Sequence, residues 1–218
     1  MLMPTPLVII GTGGHAVSAT NVALSSGYEV VSYVDDKNHA SEFAGIPIIK
    51  VEDCLSQFYN YNLFIAIGDN YIREKVSSEI KKMMPNARFP SLIHSASAVG
   101  WNAQIGAGSI LMPFANVGPN SIVGSGCILN TGSSIDHDCR MNAFSSIAPG
   151  VFCGGNVHIG TRSAVSIGAN IKHGINIGSD VVIGANSYVN TTIDDNIVAY
   201  GSPCKKVRSR KKGTPYLR

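Results

Sequence analysis

The chain has 218 residues, 44% hydrophobic and only 14% charged, with a net charge of +3. That composition excludes a disordered polypeptide, and the length allows one large domain or two modest ones. Six of the 17 Lys and Arg residues lie between Lys205 and Lys212, so the remainder is mildly acidic and lacks the broad basic surface of a nucleic-acid binder.

Leu7–Ile10 is a short apolar run with no basic residues before it, too short for a secretion signal. No segment approaches the ~20 apolar residues that cross a bilayer, so no membrane insertion is expected. The five cysteines form no C-x-x-C pair. That odd count without a signal fits a reducing, cytoplasmic setting.

In chain order, Leu7–Ile10 reads as a buried strand followed by the turn Gly11-Thr12-Gly13-Gly14-His15. The pattern predicts a helix over Ala16–Ser26, stopped by Gly27, and a strand over Val30–Val34 that runs into Asp35-Asp36. Further strands are expected at Ile46–Ile49 and at Leu63–Ile67, the latter ending in Gly68-Asp69-Asn70. Tyr71–Met84 reads as a basic amphipathic helix ended by Pro85. Strands alternating with helices imply a small parallel sheet of Rossmann type over residues 1–91.

Residues 92–218 follow a different rule. From Val99 to Val189 an apolar residue recurs at every sixth position, sixteen times without a break. Helices repeat near 3.6 and strands near 2, so neither explains a strict six. Short strands joined by tight corners do: three hexapeptides make a triangular coil, and coils stack at roughly 4.8 Å. Gly follows the ladder residue in eight of the sixteen units, and Ala, Ser or Cys stands four places after it in eleven. The expected fold is α/β plus all-β, a Rossmann-like domain followed by a left-handed parallel β-helix.

Gly11–Ala16 fits G-x-G-x-x-[G/A], and Asp35 follows at the distance typical of a dinucleotide site. Fewer than 90 residues hold little more than one mononucleotide half, which favours a nucleotide-sugar diphosphate over NAD; a purely structural turn is the third reading. Among the repeat-region histidines His137, His158 and His173, only His137 stands between two carboxylates, Asp136 and Asp138. A carboxylate neighbour fixes the tautomer and raises basicity, as a general base needs. No metal site is expected: His137 and His173 lie two coils apart, about 9–10 Å, too far to share one zinc in a single chain. Cys153 is a ladder residue and Cys127 and Cys139 are corner residues, which gives no support to an acyl-cysteine. The run Lys205–Lys212 fits either a solvated terminus or contact with coenzyme A phosphates.

Together, Gly13-Gly14-His15, Asp35-Asp36, Ala66-Ile67-Gly68-Asp69-Asn70, Leu129-Asn130-Thr131, Ile135-Asp136-His137-Asp138 and Gly201-Ser202-Pro203 carry a resemblance over nearly the whole chain. It resembles the sialic acid O-acetyltransferase and UDP-4-amino-sugar N-acetyltransferase family of two-domain hexapeptide-repeat acyltransferases. The resemblance implies a homotrimer that uses acetyl-CoA as co-substrate, with His137 as base and Asp138 as its acidic neighbour. It implies that Gly13, Gly14, His15, Asp35, Asp36 and Gly68 bind the nucleotide-sugar. It places Ser146, Ile167 and Ala185 at acetyl-CoA positions, although some members carry histidine where Ser146 stands and glycine where Ala185 stands. The implied acceptor is the C4 amine of a UDP-4-amino-4,6-dideoxy-sugar of the bacillosamine type, destined for bacterial glycan. A sialic acid hydroxyl is the second acceptor; an NAD-dependent oxidoreductase and a non-catalytic trimeric β-helix are the readings outside this class.

Overall fold

The computed structural model describes residues 3–58 and 61–217. It opens with β1 (Thr5–Ile10), α1 (Gly14–Ser25), β2 (Tyr28–Val34), β3 (Glu42–Phe43), β4 (Ile46–Ile49), α2 (Val51–Gln57), β5 (Asn62–Ile65) and α3 (Asn70–Met83). The sheet order is β3-β4-β2-β1-β5, parallel except for β3. β1 is apolar on both faces because both are covered. Leu7 and Ile9 pack with Ala16, Ala19, Val22 and Ala23 of α1, whereas Val8 and Ile10 pack with Cys54 and Ile80 on the other side.

Two departures from the sequence reading have local causes. α1 starts at Gly14, inside the glycine turn, with Gly13 as its N-cap. α2, which the pattern did not reveal, is only seven residues long and buries a single side chain, Cys54, too little to write a helical period.

From Leu92 onward the chain winds as a left-handed parallel β-helix of two-residue strands on three flat faces. The first face carries Ser134–Ile135 and Phe152–Cys153, the second Arg140–Met141 and His158–Ile159, and the third Ser146–Ile147 and Ala164–Val165. Register advances by one coil, pairing Val117 with Ile135, Ile135 with Cys153 and Cys153 with Ile171. These ladder side chains fill the interior. The small corner residues also point inward, and their hydroxyls bridge coils: Ser121 Oγ donates to the Asp136 carbonyl (2.7 Å) and accepts from the Cys139 amide (2.9 Å).

The glycines that follow the ladder have a steric reason. A Cβ at Gly160 would stand 2.3–2.5 Å from the backbone of Gly178 and Ser179, and one at Gly118 2.5–2.7 Å from that of Asp136 and His137. Gly160→Ala is expected to cost about 1–3 kcal/mol through overpacking, read as a lowered urea midpoint at unchanged slope.

The basic run forms an exposed strand, Lys205–Ser209, antiparallel to Ile197–Tyr200 at the edge of the third face. Lys and Arg on an edge strand discourage further strand pairing. No helix among the described residues is long and apolar enough to cross a membrane.

Candidate active site

The parallel sheet presents Gly13-Gly14 after β1, Asp35-Asp36 after β2 and Gly68 after β5, all at the C-terminal ends of three adjacent strands. That crevice is where open α/β sheets hold ligands. A Cβ at Gly13 or Gly14 would meet nothing within 4 Å, so the helix N-terminus faces open space. Burial opposes the charge on Asp35, but hydrogen bonds from the Thr12 hydroxyl (2.7 Å) and the Lys37 amide (3.0 Å) hold its carboxyl below the usual range. Asp36 accepts from the Val51 amide (3.0 Å).

α1 and α3 seat this sheet on the third face of the coils. Asp69 caps α3 by accepting from the Tyr71 and Ile72 amides, both at 3.0 Å. That cap directs Asn70 and Arg73 into the junction. Asn70 donates to Ser146 Oγ (3.0 Å) and to the Arg162 and Ser163 carbonyls (3.2 and 3.1 Å). Arg162 pairs with Glu74 (2.8 Å) and Asp180 (2.6 Å).

A cleft of about 340 Å³ opens at this junction, between His15 and Gly68 on one wall and Ser146–Pro149 and Ala164–Ile167 on the other. Burial first, then the Arg73 guanidinium, push the His15 imidazole down to about 4, so it is neutral near pH 7. Its Nε2 is buried without a hydrogen-bond partner among the described residues. A buried neutral imidazole nitrogen in that state has a polar partner to gain from a ligand.

The structure therefore brings His15, Gly68, Ser146 and Ile167 together. Gly13, Gly14, Asp35 and Asp36 share the strand-end edge with Gly68 but do not line the cleft. Ala185 also lies outside it, one coil above Ile167 on the corner between the third and first faces.

His137 and Asp138 stand elsewhere, on the corner between the first and second faces, a full coil side from the cleft corner. The His137 side chain is 58% exposed, with Nδ1 2.7 Å from Asp138 Oδ2. Asp138 sits in the left-handed region (φ 57°), which its short polar side chain tolerates. Asn120 Nδ2 lies 3.4 Å from its other oxygen. The hydrogen bond to Asp138, then the charge of Asp136, raise the His137 pKa above the ordinary imidazole value, and the same bond holds Asp138 below the usual carboxylate range. With Nδ1–H donated to Asp138, Nε2 keeps the free lone pair.

Sequence reading passed over Gly155. It stacks one coil above His137, and a Cβ there would come 2.5 Å from His137 Nε2 and 2.6 Å from Cε1. The signal was available, because residues 18 apart overlie one another and 155 is a glycine. Between the two corners the first face exposes Phe152 and Tyr188, with Trp101 and Ile167 on its flanks.

Residues 6–80 match the family described as PglD N-terminal domain. GDP-perosamine N-acetyltransferase of Escherichia coli O157:H7 is 30% identical over 151 residues, 69% of this chain and 67% of that enzyme. The acetyltransferase domain of PglB from Neisseria gonorrhoeae FA1090, in complex with acetyl coenzyme A, is 31% identical with a TM-score of 0.87, covering 94% of this chain and 100% of that one. PerB from Caulobacter crescentus, in complex with CoA and GDP-perosamine, is 30% identical with the same score of 0.87, over 93% and 97%. Shared over both the strand-end crevice and the coils, this likeness makes the chain a member of the hexapeptide-repeat sugar N-acetyltransferase family, whose enzymes use acetyl-CoA.

Proposed function

We propose that this protein transfers the acetyl group of acetyl-CoA to the C4 amine of a nucleotide-linked 4-amino-4,6-dideoxy-sugar, with His137 as general base. The observation that carries the reading is the His137–Asp138 pair, hydrogen-bonded at Nδ1 and free at Nε2. His137 Nε2 takes a proton as the amine attacks the thioester carbonyl, and Asp138 steadies the imidazolium. The tetrahedral intermediate then expels the CoA thiolate, which recovers the proton from His137. Holding both substrates side by side supplies orientation. The nucleotide is assigned to the strand-end crevice through Gly13, Gly14, Asp35, Asp36, His15 and Gly68. Acetyl-CoA is assigned to the corner of Ser146, Ile167 and Ala185.

One chain separates His137 from the cleft, so the reading calls for a closed homotrimer in which the apolar first face is covered and His137 of one copy meets the cleft of the next. A UDP-sugar is the acceptor implied by the family resemblance, whereas the relatives named for GDP-perosamine favour a guanine nucleotide. Assaying purified protein with acetyl-CoA and each nucleotide-sugar, by thiol release and mass of the product, tests both. Absence of N-acetylated product from either sinks the proposal.

Gly155→Ala supplies a sharper test of the base. The added methyl meets a movable ring and the backbone is not strained, so the fold survives while the imidazole swings aside. A displacement near 1 Å is worth about 10²-fold in rate. Expected is a loss of kcat of that order with an unchanged circular dichroism spectrum.

A further inference from the structure

The segment after the last edge strand is built into the cleft. Arg210 donates to the Asp180 carbonyl (3.1 Å) and to the Thr214 carbonyl, which pins the chain to the coils as it turns back. Lys212 Nζ lies 4.0 Å from Glu74 and 5.9 Å from the Tyr71 ring centre. Gly213 adopts φ 77°, and a Cβ there would stand 3.0 Å from the Tyr71 ring, so the chain presses flat on α3. Tyr216 and Leu217 then close one side of the cleft that holds His15, Gly68 and Ser146. Arg210 lies 5.8 Å from the Tyr216 ring centre, and a Cβ at Gly68 would meet Leu217 Cδ1 at 3.3 Å.

The phenol of Tyr216 stands where the two walls of the cleft meet, within reach of the Ser146 hydroxyl and the Asn70 backbone amide, whose hydrogen bonds oppose the effect of burial. Its oxygen is 3.4 Å from the Gly68 carbonyl, a long contact for an O–H donor. Burial pushes its pKa up, so the proton stays on the oxygen. The same cleft holds the unpartnered Nε2 of His15. An unpartnered imidazole nitrogen beside a phenol whose contact to Gly68 is long, in one cleft next to the strand-end crevice, matches a ligand rich in hydroxyl and phosphoryl oxygens.

We propose that Tyr216, carried by the Arg210–Leu217 segment, is a substrate-positioning residue that hydrogen-bonds the acceptor sugar nucleotide within the cleft. The inference rests on the acetyltransferase reading for its substrate class and adds a residue from a part of the chain outside the coils. Tyr216 stands against Gly68, on the wall assigned to the nucleotide-sugar, and beside Ser146 of the acetyl-CoA wall, so separate constants for the two substrates tell which one it serves.

The test is steady-state kinetics of full-length Tyr216→Phe and Tyr216→Ala with acetyl-CoA and a UDP- or GDP-linked 4-amino-4,6-dideoxyhexose. Calorimetric titration of the same nucleotide-sugar accompanies it. One lost hydrogen bond corresponds to about a 3–10-fold change in affinity. Tyr216→Phe is expected to raise the acceptor KM and Kd by that factor, with kcat and the acetyl-CoA KM within about twofold and the melting temperature retained. Tyr216→Ala should raise them further. Unchanged acceptor KM and Kd in both variants overturn the proposal, as does tighter acceptor binding, which identifies the segment as a plug. Wild-type binding without turnover overturns the transfer reading and leaves the Kd comparison to judge Tyr216. Wild-type protein that binds neither nucleotide-sugar overturns both.

Discussion

Replacing His137 with alanine is expected to lower kcat for acetyl transfer by about 10²–10⁴-fold, the usual worth of a positioned general base, while the protein stays folded. The side chain is 58% exposed, and among the described residues its only side-chain hydrogen bond is to Asp138. Nothing in the interior depends on it, so kinetics report the chemistry alone. The pH profile carries the second half of this prediction. A general base works only when neutral, and Asp138 raises the His137 pKa. The acid limb of kcat is therefore expected above the pH at which a free imidazole titrates. In Asp138→Asn the hydrogen-bonded charge is lost, the pKa falls, and the limb moves to lower pH. The plateau falls too, because the weaker base accepts a proton less readily. A limb that stays put in Asp138→Asn separates the titrating group from this pair.

Much of this architecture is legible in the residue order because coil stacking is a strict local rule. A sixfold apolar ladder has one geometric solution, and Gly118 or Gly160 follows its ladder residue because the next coil's backbone occupies the space of a Cβ. The His137–Asp138 hydrogen bond was legible for a similar reason: the two residues are sequence neighbours. What escaped lies at longer range. Gly155 matters through a residue 18 positions away, visible only once coils are superposed. Tyr216 meets Gly68 across 148 positions, and no local pattern announces such a contact. The separation of His137 from the cleft was equally hidden, since hexapeptide phase gives a residue's corner but not which face the Rossmann-like sheet covers. In physical terms, periodicity encodes the platform, while the site is made by docking two units whose contacts leave little trace in either pattern.

Arg73 shows how much that docking costs to disturb. It is 2% exposed and has no carboxylate within salt-bridge reach among the described residues. Its guanidinium instead donates to four carbonyls, Gly126 (2.8 Å), Ile67 (2.8 Å), Gly68 (2.9 Å) and Phe144 (3.1 Å), and to Asn70 Oδ1 (2.7 Å). Two of those carbonyls belong to the coils and two to the strand-end loop after β5, so one side chain ties the sheet to the β-helix. Replacement by methionine removes the desolvation cost of a buried cation, worth several kcal/mol. It also strands five acceptors, two buried and three partly buried, at about 1–3 kcal/mol for each that water does not reach. The stranded acceptors outweigh the relief, and a net loss of about 3–5 kcal/mol is expected, a large share of a typical total near 5–15 kcal/mol. Lysine does not rescue it, since three donors on a point charge cannot span carbonyls on opposite sides of a planar fork. Denaturant unfolding of Arg73→Met and Arg73→Lys measures the loss. The His15 resonances supply an independent readout, because Arg73 is the lesser cause of the depressed His15 pKa and burial the greater. In Arg73→Met the His15 titration is expected to rise from about 4 while staying below the ordinary imidazole value. A midpoint within experimental error of wild type, or a His15 titration that does not move, defeats this account of the junction.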